Sequence, residues 1–385
     1  MKTTAANPIV VDDARYARAR AATAGAMDMC YQCGTCSATC PMGSINGGGM
    51  VSARQLMRQA QLGIAGNGAL WRCVACRACE ERCPRGVNIV EAIMGLRALS
   101  FEEGTAPPEA HRLLWSTLEE GNPSGDPRAE RAKWSEGLGL RDATAGTKTL
   151  LYVGCAASYD PRLQRVVRSL TNLLTASGVE FGVLGGKERC CGDSVRSNGE
   201  RDYLDRLVGE NVKTFAATGA ETIVAVSPHC YDIFRNLYPK HGLTAEVIHS
   251  TQLLERLYDA GKLPTPARRE GTVAFHDPCF LGRHNGVYEA PRRLLESVPG
   301  LELVELHDNK SNALCCGGGG GGMWRSEEGE RLSDRRYNQA KAAQLTTLAT
   351  SCPYCIQNFD DGARRFGGPK VADVTELLLP QGVSP

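Results

Sequence analysis

"LCCGGGGGG", residues 314–322, sets the vicinal thiols Cys315 and Cys316 in front of six glycines. Such a run reads first as a linker. The same cysteine pair recurs as "RCCGDSVRS", residues 189–197, and there no glycine run follows. Further cysteines stand around both pairs in matching places. One series is Cys155, Cys190, Cys191, Ser227 and Cys230; the other is Cys279, Cys315, Cys316, Cys352 and Cys355. Cys279 follows Cys155 by 124 residues, and Cys315 follows Cys190, as Cys352 follows Ser227, by 125. A constant offset marks an internal duplication, here residues 149–265 and 266–385.

Each half alternates apolar strand patterns with amphipathic helix patterns. "TLLYVG", "VEFGVLG" and "ETIVAVS" read as strands in the first half, with "LQRVVRSLTNLLTASG" and "YLDRLVGENVKTFAATG" as helices between them. "GTVAFHDPC", "LELVELH" and "LATSCPYC" repeat the strands in the second, with "APRRLLESVPG" and "RLSDRRYNQAKAAQL" as helices. This rhythm predicts parallel α/β half-domains. The cysteines fall just beyond the carboxyl ends of the strands, the edge where open parallel sheets bind ligands. Five thiols at one edge exceed the four that a cubane cluster or a structural zinc takes. The second series therefore suggests a larger or rearranged iron–sulfur centre, and the vicinal pair suits neighbouring irons.

Upstream, two runs share the spacing C-x2-C-x2-C-x3-C-P: "CYQCGTCSATCP", with Cys30, Cys33, Cys36 and Cys40, and "CVACRACEERCP", with Cys73, Cys76, Cys79 and Cys83. In this spacing three thiolates of a run hold one 4Fe-4S cubane and the fourth crosses to its neighbour. Cys30, Cys33, Cys36 and Cys83 then hold one cluster, and Cys73, Cys76, Cys79 and Cys40 the other. Two zinc knuckles on a scaffold protein are the alternative, but zinc does not need the third and fourth cysteine in step. Pro41 and Pro84 block helix continuation where each run ends. Val51, Leu56, Met57, Ala60 and Ile64 form a helical stripe between the runs, and "VNIVEAIMGLRALSFEEG" after them is again helical. The fold class is thus α plus α/β: a helical two-cluster ferredoxin domain over 1–103, a linker over 104–148 marked by Pro, Gly and charge, then the two halves. Trp115 and Trp134 are expected to pin the linker.

The 17 cysteines, an odd and clustered number, suit metal ligation in a reducing compartment better than a disulfide framework. A net charge of +1 and the lack of a basic stripe argue against nucleic acid. No stretch is apolar enough for a membrane span, and the first residues do not read as a secretory signal. The expected address is the cytoplasm, or the inner face of the membrane through a partner. No G-x-G-x-x-G spacing occurs, so no flavin is expected and electrons must come from another chain.

The spacing C-x(31–39)-C-C-G-x(~35)-C-x-x-C resembles the "CCG" motif of heterodisulfide reductase, and the N-terminal third, including "ERCPRGVNIVEAIMGLRAL", is similar to that enzyme's ferredoxin subunit. One chain carrying both resembles the fused iron–sulfur subunit of the two-subunit, membrane-linked form of that enzyme. The resemblance implies a noncubane 4Fe-4S cluster on Cys279, Cys315, Cys316, Cys352 and Cys355, with disulfide–thiol chemistry by one-electron steps. The first half departs from the pattern because Ser227 stands where the second has Cys352. Its Cys155, Cys190, Cys191 and Cys230 admit a modified cluster with a serine oxygen ligand, an ordinary cluster, zinc or nothing; a degenerate site is the expectation. "YVGCAASYDPR", "PHCYDIFRNLYP" and "DPCFLGRHNGVYEAPR" look more like relatives that take electrons from electron-transfer flavoprotein. Benzoyl-CoA reductase subunits are also similar. The implied partners are a flavoprotein, a reductase-type subunit or a membrane cytochrome b, and pure electron transfer is the alternative to catalysis.

Smaller features have structural and chemical readings. Asp277 is expected to cap the turn after it. His276 and His284 are candidate proton sources for a released thiol. His229 is a candidate ligand in the first half, with simple packing the commoner outcome. Arg283 is a candidate counter-charge for an anionic cluster or substrate.

Overall fold

The computed structural model describes residues 11–45, 52–66, 68–325 and 329–384. The N-terminal region is helical. Asp13–Ala22 starts where the Asp12 side chain accepts from Arg15 N, and Ala53–Gln61 where Ser52 accepts from Gln55 N. Leu56, Met57 and Ala60 of the stripe are buried. Ile64 lies past the end of that helix, and Val51 lies outside the described residues. Pro41 does more than stop a helix: it ends Thr35–Thr39 and opens Pro41–Ser44, since proline suits a first helical position. Ile89–Glu102 is apolar on nearly all sides and forms the spine of the region.

Residues 104–148 are a packed strap rather than a plain linker. Pro108 opens a helix, Pro108–Glu120, and Gly121 closes it at φ 71°. The Pro and Gly that mark a boundary in the sequence are thus helix caps. Trp134 is buried in the core of the α/β halves, whereas Trp115 is 62% exposed and pins nothing.

Each half builds one parallel four-stranded sheet. In the first, β1 (Thr149–Tyr152), β2 (Gly182–Val183), β3 (Thr222–Ala225) and β4 (Glu246–His249) lie in the order β2-β1-β3-β4. In the second, β5 (Gly271–Phe275), β6 (Leu301–Leu303), β7 (Thr347–Thr350) and β8 (Lys370–Asp373) lie in the order β6-β5-β7-β8. The topologies are identical and every pairing is parallel. The edge strands β2 and β6 are much shorter than "VEFGVLG" and "LELVELH" suggest; an edge strand has one partner and shortness limits its exposed backbone. Leu151, Val224 and Ile248 from one sheet share a hydrophobic core with Val273, Phe275 and Ala349 from the other. The halves therefore fold against each other. Among the described residues no helix is long and apolar enough to cross a membrane.

Candidate iron–sulfur centres

Local backbone turns the ferredoxin cysteines inward. Gln32, Ala75 and Arg77, in the short spacers of the runs, adopt positive φ of 68°, 52° and 60°. Non-glycine residues adopt this conformation only where surroundings hold them there. The result is two cavities. Cys30, Cys33, Cys36 and Cys83 line one; Cys40, Cys73, Cys76 and Cys79 line the other. Each groups three thiols of one run with the last of its partner. Burial pushes the Cys40 thiol up to about 12, and the neighbouring sulfurs of Cys76 and Cys73 add to this. Sulfurs crowded in this way fit a cationic iron group, which would offset the cost of holding thiolates together. The cavities differ in setting: Cys33 is exposed, while Cys76 is buried in one cluster with Cys279 and Cys315 of the second α/β half.

The five-cysteine series of the second half converges at the carboxyl end of its sheet. Cys279 follows β5, Cys352 N-caps the helix Pro353–Phe366 after β7, and Cys355 lies in that helix's first turn. The Sγ atoms of Cys279 and Cys315 are 3.9 Å apart, and those of Cys355 and Cys316 are 3.2 Å apart. All five residues are buried. His276 comes with them, its ring nitrogen within 4.8 Å of the Cys316 and Cys355 sulfurs. Arg336 Nε donates to His276 Nδ1 at 3.3 Å, which leaves Nε2 protonated and free for Cys316. Hydrogen bonds from Cys315, Cys355 and His276 drive the Cys316 thiol far down despite its burial.

Arg283 sits beside Cys76, Cys279 and Cys315, and its buried guanidinium donates to the carbonyls of Cys76, Ser311 and Ala313. His284 touches none of these sulfurs: it meets Asp232 at 3.5 Å and the Ala75 carbonyl at 2.8 Å. Asp277 does not cap its own turn. Its carboxylate takes both terminal nitrogens of Arg292, at 2.7 and 2.9 Å, and Lys310 N at 2.7 Å. A buried carboxylate needs a charged partner, and the following turn offers none.

The glycine run is not a linker. A Cβ on Gly319 would lie 2.7 Å from the Val74 carbonyl oxygen, and one on Gly320 2.4 Å from that of Cys73. The run is where the second half grips the ferredoxin backbone. Gly317 N also donates to Cys315 Sγ at 3.3 Å. Arg97 completes the grip. Fully buried, it donates to the carbonyls of Leu70, Trp71, Cys73, Ser197 and Gly320, which joins all three parts of the chain. Burial lowers its guanidinium to about 9, with Arg325 adding repulsion and Cys73 opposing both.

In the first half Cys155, Cys190, Cys191 and Cys230 line a cavity together with Ser227 and His229. The Ser227 hydroxyl accepts from His229 N at 3.3 Å as the N-cap of Pro228–Asn236. Arg131, from the strap, places both terminal nitrogens 3.6 Å from Cys155 Sγ and pairs with buried Glu188 at 2.8 Å. His229 bridges the two halves. Its Nδ1 meets Asp193 Oδ2 at 2.8 Å, and its ring stacks on Phe280 of the second half at 3.9 Å. Burial alone would lower His229, but Asp193 and Cys352 together raise it to about 10. The Cys352 thiol, pushed up by burial, is brought down to about 6 by Cys355 and His229.

Sequence reasoning does not single out Arg97, Arg131 or Asp193. Arg97 has a visible signal, a lone cation in the apolar helix "IVEAIMGLRALS". Arg131 has none, since it stands in a run of surface-type charges.

Fold and thiol arrangement are those of an iron–sulfur protein. The 4Fe-4S dicluster domain family matches residues 26–87, and the cysteine-rich CCG domain family matches residues 149–235 and 273–360. The chain joins a 4Fe-4S dicluster domain to two CCG repeats and is similar to iron–sulfur proteins of the heterodisulfide reductase and FadF types. It is 37% identical over 305 residues to the probable iron-sulfur-binding oxidoreductase FadF of Bacillus subtilis, covering 75% of this chain and 43% of that one. It is 37% identical over 301 residues to the EtfAB:quinone oxidoreductase of Syntrophomonas wolfei, covering 73% and 42%. Identity to a subunit of the dihydromethanophenazine:CoB--CoM heterodisulfide reductase of Methanosarcina barkeri is 27% over 303 residues, covering 76% and 73%. The chain thus spans less than half the length of the first two relatives.

Proposed function

We propose that this chain is the electron-carrying subunit of a redox complex, linking a surface site near Cys33 to the buried thiols of the second CCG repeat. The observation that carries this reading is the burial of Cys76 in one cluster with Cys279 and Cys315, which brings the second ferredoxin set and the CCG set together. Cys30, Cys33, Cys36 and Cys83 would hold one cubane, Cys40, Cys73, Cys76 and Cys79 the other, and Cys279, Cys315, Cys316, Cys352 and Cys355 a noncubane 4Fe-4S group, each supplying one-electron transfer. Around them the chain's own residues supply counter-charge and exclude water. Arg283 and Arg97 bring cations, and the glycine run closes the gap between the domains. Iron and acid-labile sulfide analysis of anaerobically prepared protein tests the assignment. The expected content is about twelve irons per chain, four for each cluster; fewer than eight defeats even the two-cubane part.

The burial of all five thiols favours a relay over direct attack on a bulky disulfide. The 37% relatives point the same way, since one is named as an EtfAB:quinone oxidoreductase. A flavoprotein donor and a quinone-side acceptor are therefore the proposed partners. Disulfide–thiol chemistry is the second reading, favoured by the kinship with the heterodisulfide reductase of Methanosarcina barkeri. A paramagnetic signal induced by added thiol and lost in Cys315→Ala would select it.

A further inference from the structure

The first ferredoxin cavity opens to solvent. Tyr31, Cys33, Arg54, Pro84 and Arg85 line it and are exposed, Tyr31 by 59%. Met29, two residues earlier, is 48% exposed. No other cysteine of the chain is exposed. The local backbone explains the two apolar side chains. Met27 takes the core position of the turn Ala26–Met29, so Met29 is left outside. Cys30 is extended, and in extended backbone neighbouring side chains point to opposite sides. Cys30 faces the cavity, and Tyr31 is turned outward.

The charges around this opening are one-sided. Arg54 and Arg58 stand four residues apart on Ala53–Gln61 and so share a helix face. Both are exposed, as is Arg85. Among the described residues none of the three is in an ion pair. The acids of the ferredoxin region are committed elsewhere: Glu103 to Arg15, Glu102 to Arg18, Asp28 to Arg20 and Glu80 to Arg77. The opening therefore has an apolar centre and an uncompensated cationic rim.

We infer that this face is the docking site of a one-electron carrier protein whose own redox group is ringed by carboxylates. The inference rests on the reading that Cys30, Cys33, Cys36 and Cys83 hold a cluster. One electron leaves the partner's reduced group and enters that cluster, and no bond is made or broken. Electron-transfer encounters bury less than about 1,200 Å². Two exposed apolar side chains and a ring of opposite charge suit such a contact. Charge of this kind steers the encounter and raises its rate, an effect that salt screens.

Stopped-flow reduction of the full anaerobic chain tests this, followed by the loss of the cluster's visible absorbance. An acidic flavodoxin in its reduced form is the protein donor, and the neutral deazariboflavin radical is the small donor that needs no docking. The rate with flavodoxin is expected to fall at least about tenfold as salt rises from about 20 to about 300 mM. Arg54→Glu, Arg58→Glu and Arg85→Glu together should slow it about a hundredfold at low salt and abolish the fall. Arg58→Glu alone, which does not line the cavity, should slow it about threefold. Tyr31→Ser should slow it at both salt concentrations. Iron content and the rate with the deazariboflavin radical should stay at wild-type values in Arg58→Glu and Tyr31→Ser. A wild-type rate that stays level or rises with salt would overturn the inference. So would Arg58→Glu and Tyr31→Ser proteins that flavodoxin reduces as fast as wild type. Wild-type protein that the deazariboflavin radical fails to bleach would instead sink the reading of the cavity as a cluster site.

Discussion

The two CCG repeats share strand order, parallel pairing and the placement of cysteines at strand ends, yet their surroundings differ at nearly every point. Beside the first cysteine pair, Glu188 is locked to Arg131 of the strap. The second repeat has Ala313 in the place of Glu188, and its carbonyl accepts from Arg283, which also holds the ferredoxin backbone. The pair in the first repeat is followed by Asp193, and that in the second by glycines that admit the ferredoxin domain. One repeat has become an internally braced support and the other the docking and redox site. Duplication supplies two equal scaffolds, and residues outside the shared core decide what each does.

The largest break in this comparison is expected from Arg131→Met, which orphans a buried carboxylate in the first repeat only. Losing one partner of such a pair costs about 3–5 kcal/mol. The urea midpoint should fall accordingly, and adding Glu188→Gln should restore part of it, because no charge is then left unpaired. An unchanged midpoint in Arg131→Met would show that the first repeat is not braced this way.

A smaller effect, confined to the contact between the second repeat and the ferredoxin domain, is expected from Gly320→Ala. The new Cβ meets the Cys73 carbonyl, and φ at this position is 58°. Overpacking of this kind costs about 1–3 kcal/mol. Hydrogen exchange over residues 73–77 should speed up while that over β1 and β3 stays as it was. Equal exchange in both places would remove the glycine run's role as the clamp.

The smallest effect is a pH slope, and its sign should differ between repeats. His249 and Asp373 close the last strand of each sheet as buried helix N-caps. Burial lowers His249 to about 3, below its ordinary 6.5. Between these values the unfolded chain binds more protons, so this group's contribution to stability falls as the solution is acidified. Burial raises Asp373 from 3.8 to about 7. There the native chain binds more protons, so its contribution falls as pH rises through that window. Each slope is at most about 1.4 kcal/mol per pH unit, and the two oppose each other in the overlap. His249→Gln should leave urea midpoints that rise as pH drops from 6.5 to 4.5, and Asp373→Asn midpoints that fall. Parallel profiles in the two variants would contradict the assignment.

The chain's chemistry and its duplication are legible from residue spacing alone. Ligand sets repeat at fixed intervals, and a parallel sheet places each strand's carboxyl end at the same edge. Cysteine positions and apolar rhythm therefore define the α/β halves and the grouping of thiols. The strap is not legible, because Pro and Gly mark both loops and helix caps. Nor is the exposure of Trp115, because its helix carries apolar residues on more than one face and only packing chose the one with Leu113. Only the tertiary structure decided the partners of charged residues. Arg97 reaches carbonyls from Leu70 to Gly320, Arg131 reaches Cys155, and His229 joins Asp193 of its own repeat to Phe280 of the other. Spacing constrains groups joined by a short length of chain. A buried charge instead takes whatever acceptors the packed core brings to it from distant sequence, since leaving it unpaired costs more than any local preference can repay.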